Sequence, residues 1–407
     1  MSEAGVMDAL IAALLLSAGY NTALVSIGAA ILGASSGAIG AFVLLRKRSL
    51  VSDAISHATL PGLTLAFILM ALTTGDGRWL PGLLLGAAVS AGIGLLLVEW
   101  MTRRTRLSED AAIGAVLSVF FGFGIVLATV IQSLDTGGQA GITGFLLGST
   151  ASMLRSEAET IAVASVLIGL VIFLLRRPLT LVCFDPDYAA SRGINVRAMD
   201  LMMMGLLLAV TVIGLKVAGL VLIVALTIIP PVAARFWTNR PGRMVVIAAG
   251  IGAVAAYLGA VVSSLDRGLP TGALIVLIAF ALFVVSLIFS PVRGLLAGGI
   301  QQFALRKRVH ERQGLLALAR NEPIYDPLTR KVLRRAGYIR ADGEPTRHGR
   351  AAAALARQEE VLWGFYRQRF PDDAASLPHQ GLMPIDAALP PDIISDLRRQ
   401  FALKEAG

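Results

Sequence analysis

A single cysteine, Cys183, stands among 407 residues, so neither an internal disulfide nor a thiolate metal cluster can form. It lies close to Arg176 and Arg177, and an apolar contact is its ordinary role. Charge is scarce: Asp, Glu, Lys and Arg make up 15% of the chain, against about 25% in soluble domains. Aromatic residues reach only 6%. Of the four histidines, His310, His348 and His379 lie in the C-terminal part with no ligand spacing between them, and they read as surface residues. No G-x-x-x-x-G-K-S/T sequence occurs and no other phosphate-cradling loop is evident, which excludes ATP hydrolysis by this chain alone. Residues 1–19 carry Glu3 and Asp8, no basic cluster and a short apolar run, so no cleavable signal peptide is predicted there.

What the chain does have is apolar surface, at 56% hydrophobic residues, and 42 glycines. That composition describes a polytopic membrane protein with closely packed helices. Nine windows are long enough to span, near residues 22–45, 52–74, 80–101, 109–131, 157–175, 198–215, 217–236, 243–263 and 269–290. The seventh is separated from the sixth only by Gly214-Leu215-Lys216-Val217, and residues 6–19 offer either an interfacial helix or a short further span. Eight to ten spans are therefore predicted. Basic clusters fall at every second boundary: Arg46-Lys47-Arg48, Arg103 to Arg106, Arg176 to Arg197, Arg235 to Arg243, and Arg293. The positive-inside rule places these in the cytoplasm of a multi-pass protein of the plasma membrane. The alternate connections hold Asp76, Asp135 and Asp266. The net charge of +9 follows from those loops and does not call for nucleic acid.

Composition changes after Pro291. Residues 1–292 read as the membrane domain, 293–308 as a linker and 309–407 as a small cytoplasmic domain. In the last, a helix is predicted over 310–320. A second opens at Asp326-Pro327, an N-cap followed by proline at N1, and closes at Gly337. A hairpin turns at Asp342-Gly343, and Thr346 caps a longer helix to about Arg369. Helix, helix, ribbon, helix is the order of a winged-helix module. The expected fold is thus an all-α membrane bundle with a winged-helix-like tail.

Asp53 and His57 are the chemistry-bearing pair. At i, i+4 on a spanning helix they share one face, and ionisable groups at such depth face a water-filled path or a partner. A carboxylate and an imidazole suit a divalent ion of Mn, Fe or Zn type. A purely structural polar pair is the alternative. Between two spans on the basic side, Phe184 to Asn195 predicts a two-turn helix capped by Asp185 and ended at Gly193. With Asp187, Tyr188, Ala189 and Arg192 between those two ends, it would either insert into a groove of a motor protein or be an ordinary loop helix. Val217 to Pro231 joins Gly219 to Pro230-Pro231. Proline frees carbonyls that a neighbour or a lining water must satisfy, so this helix either lines a translocation path or packs closely.

Together these motifs resemble the metal-ion class of ABC importer permeases, which serves manganese, zinc and iron uptake. Ser52-Asp53-Ala54-Ile55-Ser56-His57-Ala58-Thr59-Leu60-Pro61-Gly62 is similar to its signature. Asp185 to Asn195 resembles its coupling segment, and Val217 to Pro231 and Pro270-Thr271-Gly272 match later landmarks. The resemblance covers residues 7–292. It implies a fold like that of the cobalamin importers and a dimer with an identical or related permease. It further implies two ABC ATPase subunits that use ATP, and an extracytoplasmic metal-binding protein. The metal would be transported by way of Asp53 and His57 rather than held as a permanent cofactor. The tail is similar to the winged-helix part of iron- and manganese-dependent repressors over Arg330 to Ile339, Thr346 to Ala351 and Leu362 to Tyr366. Some manganese-type permeases carry such an extension, which favours manganese. A histidine expected between Arg357 and Val361 is missing, so no repressor metal site follows. Residues 301–407 hold 18 Lys and Arg against 13 Asp and Glu, a modest surplus that suits regulation or assembly better than DNA binding. The rival readings are a proton-coupled transporter using the same pair and a membrane-anchored sensor.

Overall fold

The computed structural model describes residues 12, 14–17, 20–74, 79–133, 155–266, 269–376 and 382–406. The outer-connection residues Asp76 and Asp135, together with His379 and most of residues 6–19, lie outside them. The chain divides into two units, 1–297 and 298–407.

The first unit is a bundle of helices: α1 (Tyr20–Leu45), α2 (Val51–Thr74), α3 (Leu80–Arg104), α4 (Glu109–Ser133), α5 (Arg155–Phe184), α6 (Pro186–Ser191), α7 (Val196–Ala218), α8 (Leu220–Trp237), α9 (Pro241–Ser263) and α10 (Thr271–Phe289). Eight of them, all but α6 and α8, are long and apolar enough to cross a membrane among the described residues. The nine predicted windows correspond to these eight and to α8. The exposed residues are themselves apolar, among them Leu85, Leu96, Val119, Leu174, Leu277 and Phe289. Such a surface has a place only in lipid, and this is a multi-pass membrane protein.

At the centre of the bundle runs α1, packed on α9, α5, α8 and α7. Small residues make this possible. A Cβ on Gly33 would strike the Gly252 carbonyl of α9, the close backbone approach that small side chains allow between helices in lipid. A second tight pairing joins α2 to α3, and α2 also packs on α4.

Three boundaries differ from the sequence reading. Helix α5 runs past residue 175 to Phe184 through Arg176 and Arg177, because Leu179 and Val182 on its last turns are buried. The break between the sixth and seventh windows falls at Gly219 rather than at 214–217. There φ is +82°, a conformation costly to any residue with a Cβ. The stretch expected to be a linker is helical from Leu295.

In the second unit, α11 (Leu295–Ala319) is followed by α12 (Pro327–Arg335), α13 (Arg347–Arg369), α14 (Pro371–Ser376), α15 (Ile385–Ala388) and α16 (Pro391–Ala406). The predicted caps are present. Asp326 accepts from the Thr329 N–H at 2.8 Å and Thr346 from the Gly349 N–H at 3.0 Å. Gly337 takes φ +75° after α12. The ribbon is another matter. Between α12 and α13 one bridge, Ile339 to Pro345, is all the pairing among the described residues, with no strand. The bridge rests on two bonds, Arg340 N–H to the Glu344 carbonyl and Thr346 N–H to that of Tyr338, each at 2.9 Å, so a winged-helix domain is not what the structure displays. Trp363 and Tyr366 instead pack with Ile385, Leu389, Ile394 and Leu397 in a helical core.

Candidate metal site and its connections

Helix α2 begins one short turn after α1 and brings Asp53 and His57 to the same side. His57 Nε2 stands 3.4 Å from Asp53 Oδ1. Their neighbours Ser52, Ala54, Ile55, Ser56, Ala58 and Thr59 are all buried, so these two alone on the first two turns turn a partly exposed polar face outward. The Asp53 side chain is 42% exposed and that of His57 17%: the carboxylate is reachable, while the imidazole is enclosed. Phe121 of α4 meets the His57 ring edge-on, with centroids 4.9 Å apart and planes at 86°. His57 Nδ1 is buried and has no hydrogen-bond partner among the described residues.

Pro61 lies within the same helix. A proline has no N–H for the carbonyl four residues earlier, so the His57 carbonyl lacks its helical donor. The sequence signature already contained this proline, but its meaning for His57 emerges only with the helix in place. No group of three or more His, Cys, Asp and Glu side chains suited to a metal occurs among the described residues. One chain therefore supplies two side-chain donors, fewer than the four to six that Mn²⁺, Fe²⁺ or Zn²⁺ ordinarily takes.

The predicted short helix is α6, and its ends are built as the residues dictate. The Asp185 carboxylate accepts from the Tyr188 N–H at 2.9 Å. At the other end Arg192 is the C-cap and Gly193 has φ +80°. The Ile194 N–H reaches the Ala189 carbonyl, and the Gly193 N–H that of Ala190, each at 3.0 Å, the paired closure of a helix ended by glycine. Asn195 then caps α7 through the Ala198 N–H at 3.0 Å. Ala189 is fully buried, whereas Asp187, Tyr188 and Arg192 are exposed beside exposed Phe184. The result is a stiff knob anchored by one small residue.

The third predicted group is arranged differently from its expectation. Gly219 is the joint between two helices, not part of one continuous helix. Pro230 and Pro231 are buried in α8, and a Cβ at Gly40 of α1 would lie 2.9 Å from Pro231 Cγ. The diproline thus packs against α1.

A cluster that sequence reasoning passed over ties these parts together. Arg46, in the turn between α1 and α2, donates from Nε and Nη2 to the two carboxylate oxygens of Asp200 at 3.0 and 2.9 Å. Its Nη1 donates to the Val182 carbonyl at 3.2 Å. The bond to Asp200 raises the Arg46 pKa above its already high ordinary value, so the guanidinium stays charged. Arg48 pairs with Glu109 of α4 at 3.4 Å. One local signal existed: Pro186 follows Val182 by four residues and leaves its carbonyl without a helical donor. Cys183 packs against the apolar core as expected, and its Sγ also donates to the Phe42 carbonyl at 3.7 Å.

The chain is similar to known proteins in sequence and in fold. The model of the ABC 3 transport family matches residues 20–290. The manganese transport system membrane protein MntC of Bacillus subtilis is 41% identical over 298 residues, covering 73% of this chain and 67% of that protein. The zinc transport system membrane protein TroC of Treponema pallidum is 38% identical over 277 residues, 68% of this chain and 91% of its own length. Among solved structures, PsaBC from Streptococcus pneumoniae in complex with Fab superposes with a TM-score of 0.60 at 28% identity, covering 71% of this chain and 97% of that one.

Proposed function

The chain belongs to the ABC 3 transport family, and from that premise we propose that it is the permease subunit of an ATP-driven importer of a divalent transition metal, with manganese as cargo. The observation that carries this reading is the Asp53–His57 pair, a hard oxygen and an imidazole nitrogen 3.4 Å apart on a helix with no other ionisable side chain. Oxygen donors alone would suit Mg²⁺ or Ca²⁺, and the nitrogen shifts preference to a transition metal. Two donors per chain call for a second permease across a two-fold axis, so that two carboxylates and two imidazoles replace part of the hydration shell.

On this reading ATP is bound by partner ATPase subunits, and α6 is where they dock. Asp187, Tyr188 and Arg192 form the contact, while Asp185 and Gly193 hold its shape. Metal arrives from an extracytoplasmic binding protein. The basic ends of the helices, with the C-terminal unit, face the cytoplasm. The tail has a regulatory or assembly role. The manganese assignment rests on the 41% identity to a manganese permease; zinc is the competing cargo, because a zinc permease is nearly as similar.

The test is uptake of radioactive manganese and zinc by a host lacking its own importers and supplied with this chain, its ATPase and its binding protein. Manganese uptake should exceed zinc uptake and require the ATPase. It should fall more than tenfold in Asp53→Ala at unchanged membrane abundance. Parental uptake by Asp53→Ala would refute the site, and uptake without the ATPase would favour proton coupling.

A further inference from the structure

One arginine side chain, in the turn that leads into the helix carrying Asp53 and His57, is bonded to both flanks of α6. Val182 lies on the last turn and a half of α5, just ahead of α6. Asp200 lies on the second turn of α7, just beyond it. The Arg46 guanidinium is bonded to both, through the fork on Asp200 and the single bond to the Val182 carbonyl. That carbonyl is open to Arg46 because residue 186 is proline and the helical donor is missing.

The turn from which Arg46 projects is stiff. Lys47 takes φ +61°, the Arg48 N–H bonds the Val43 carbonyl at 3.0 Å and the Val51 N–H bonds the Arg48 carbonyl at 3.1 Å. Arg46 is thus seven residues from Asp53 along a backbone with little slack. Asp200 is buried, 154 residues away in sequence.

A partly buried ion pair is a poor source of net stability, since desolvation offsets most of its attraction, and apolar residues of similar volume often serve as well. What a forked Arg–carboxylate pair provides is a fixed geometry between the elements that carry it. We propose that Arg46 is a positioning residue that transmits displacement of α6 to α2, and so couples ATP hydrolysis on the partner subunits to the metal pair. This rests on the permease reading above. In the proposed sequence, movement of the docked knob shifts Val182 and Asp200 together. The guanidinium follows both, and the stiff turn carries the shift to the first turns of α2.

The experiment uses the full transporter in proteoliposomes, with Mn²⁺ as probe. Four quantities are measured for Arg46→Ala, Arg46→Lys and Asp200→Asn: membrane abundance, equilibrium Mn²⁺ binding, basal ATPase activity and Mn²⁺ transported per ATP hydrolysed. Abundance, binding and basal hydrolysis should stay within about twofold of the parent. Transport per ATP should fall at least tenfold in Arg46→Ala and Asp200→Asn. It should fall less in Arg46→Lys, which keeps the charge but not the fork. A parental ratio in Arg46→Ala would overturn the proposal. So would loss of all three variants from the membrane, which would reduce the pair to a folding contact. Failure of the permease reading itself would look different: the unsubstituted complex would show no ATP-dependent Mn²⁺ uptake.

Discussion

At the scale of single residues, the decisive quantity is what it costs to keep a carboxylate and an imidazole in a spanning helix. Asp53 lies on the first turn of α2 with its side chain 42% exposed, so it escapes most of the roughly 2.5–3.5 kcal/mol that an acid costs at the centre of a spanning helix, and the helix N-terminus favours its charge. His57, one turn further along, is enclosed and stands 3.4 Å from that carboxylate. On the proposed metal role, the edge-on contact with Phe121 holds the His57 ring so that one nitrogen meets the ion. Phe121→Ala should raise the manganese concentration for half-maximal uptake by about tenfold, the usual effect of losing a group that orients a metal ligand. A concentration series of uptake rates checks this. The spacing of Asp53 and His57 made the pair legible in the sequence, since i, i+4 is a local rule. Asp200 was not legible, because an acid near the start of a helix is ordinary and its partner is 154 positions away.

At the scale of elements, the short helix α6 depends on its two ends. Gly193 has φ +80°, and a Cβ there would meet nothing within 4 Å, so the cost of Gly193→Ala is backbone strain alone, about 1 kcal/mol. Asp185→Ala removes the N-cap at a similar cost of about 1 kcal/mol. Both should speed amide exchange across residues 187–192 while leaving α2 protected, and uptake should fall more than metal binding does. In the second unit, Arg312 of α11 reaches Glu359 and Glu360 of α13 at 2.8 and 3.3 Å. Burial raises the Glu360 carboxyl, but hydrogen bonds from Arg367 and Arg312 outweigh it and hold the group below its ordinary range. A depressed carboxyl stabilises the fold above its unfolded value, about 4.3. That contribution fades as pH falls through the lower folded value. Exchange in α13, corrected for its intrinsic rate, should therefore accelerate below about pH 4, and Glu360→Gln should flatten the dependence. The caps at Asp185, Asp326 and Thr346 could be read from sequence because a cap is made within four residues. The end of α5 could not, because burial of Leu179 and Val182 against other helices overrides the charge of Arg176 and Arg177. Nor could the fate of the ribbon, since Asp342-Gly343 signals a turn but cannot guarantee a ladder beyond it.

At the scale of the whole molecule, hydropathy and the basic clusters made the bundle legible, and membership of the ABC 3 transport family agrees with it. Asp53 and His57 alone are too few donors for a complete site. Import as proposed requires that two copies, or this chain and a related permease, meet around one ion. The most direct measurement is equilibrium binding of Mn²⁺ to the assembled transporter, with electron spin echo detection of nitrogen coupled to the bound ion. One Mn²⁺ per two permease chains is predicted, with an imidazole nitrogen signal lost in His57→Ala and binding weakened at least tenfold in Asp53→Ala. Unchanged stoichiometry, affinity and nitrogen signal in both variants would contradict the account.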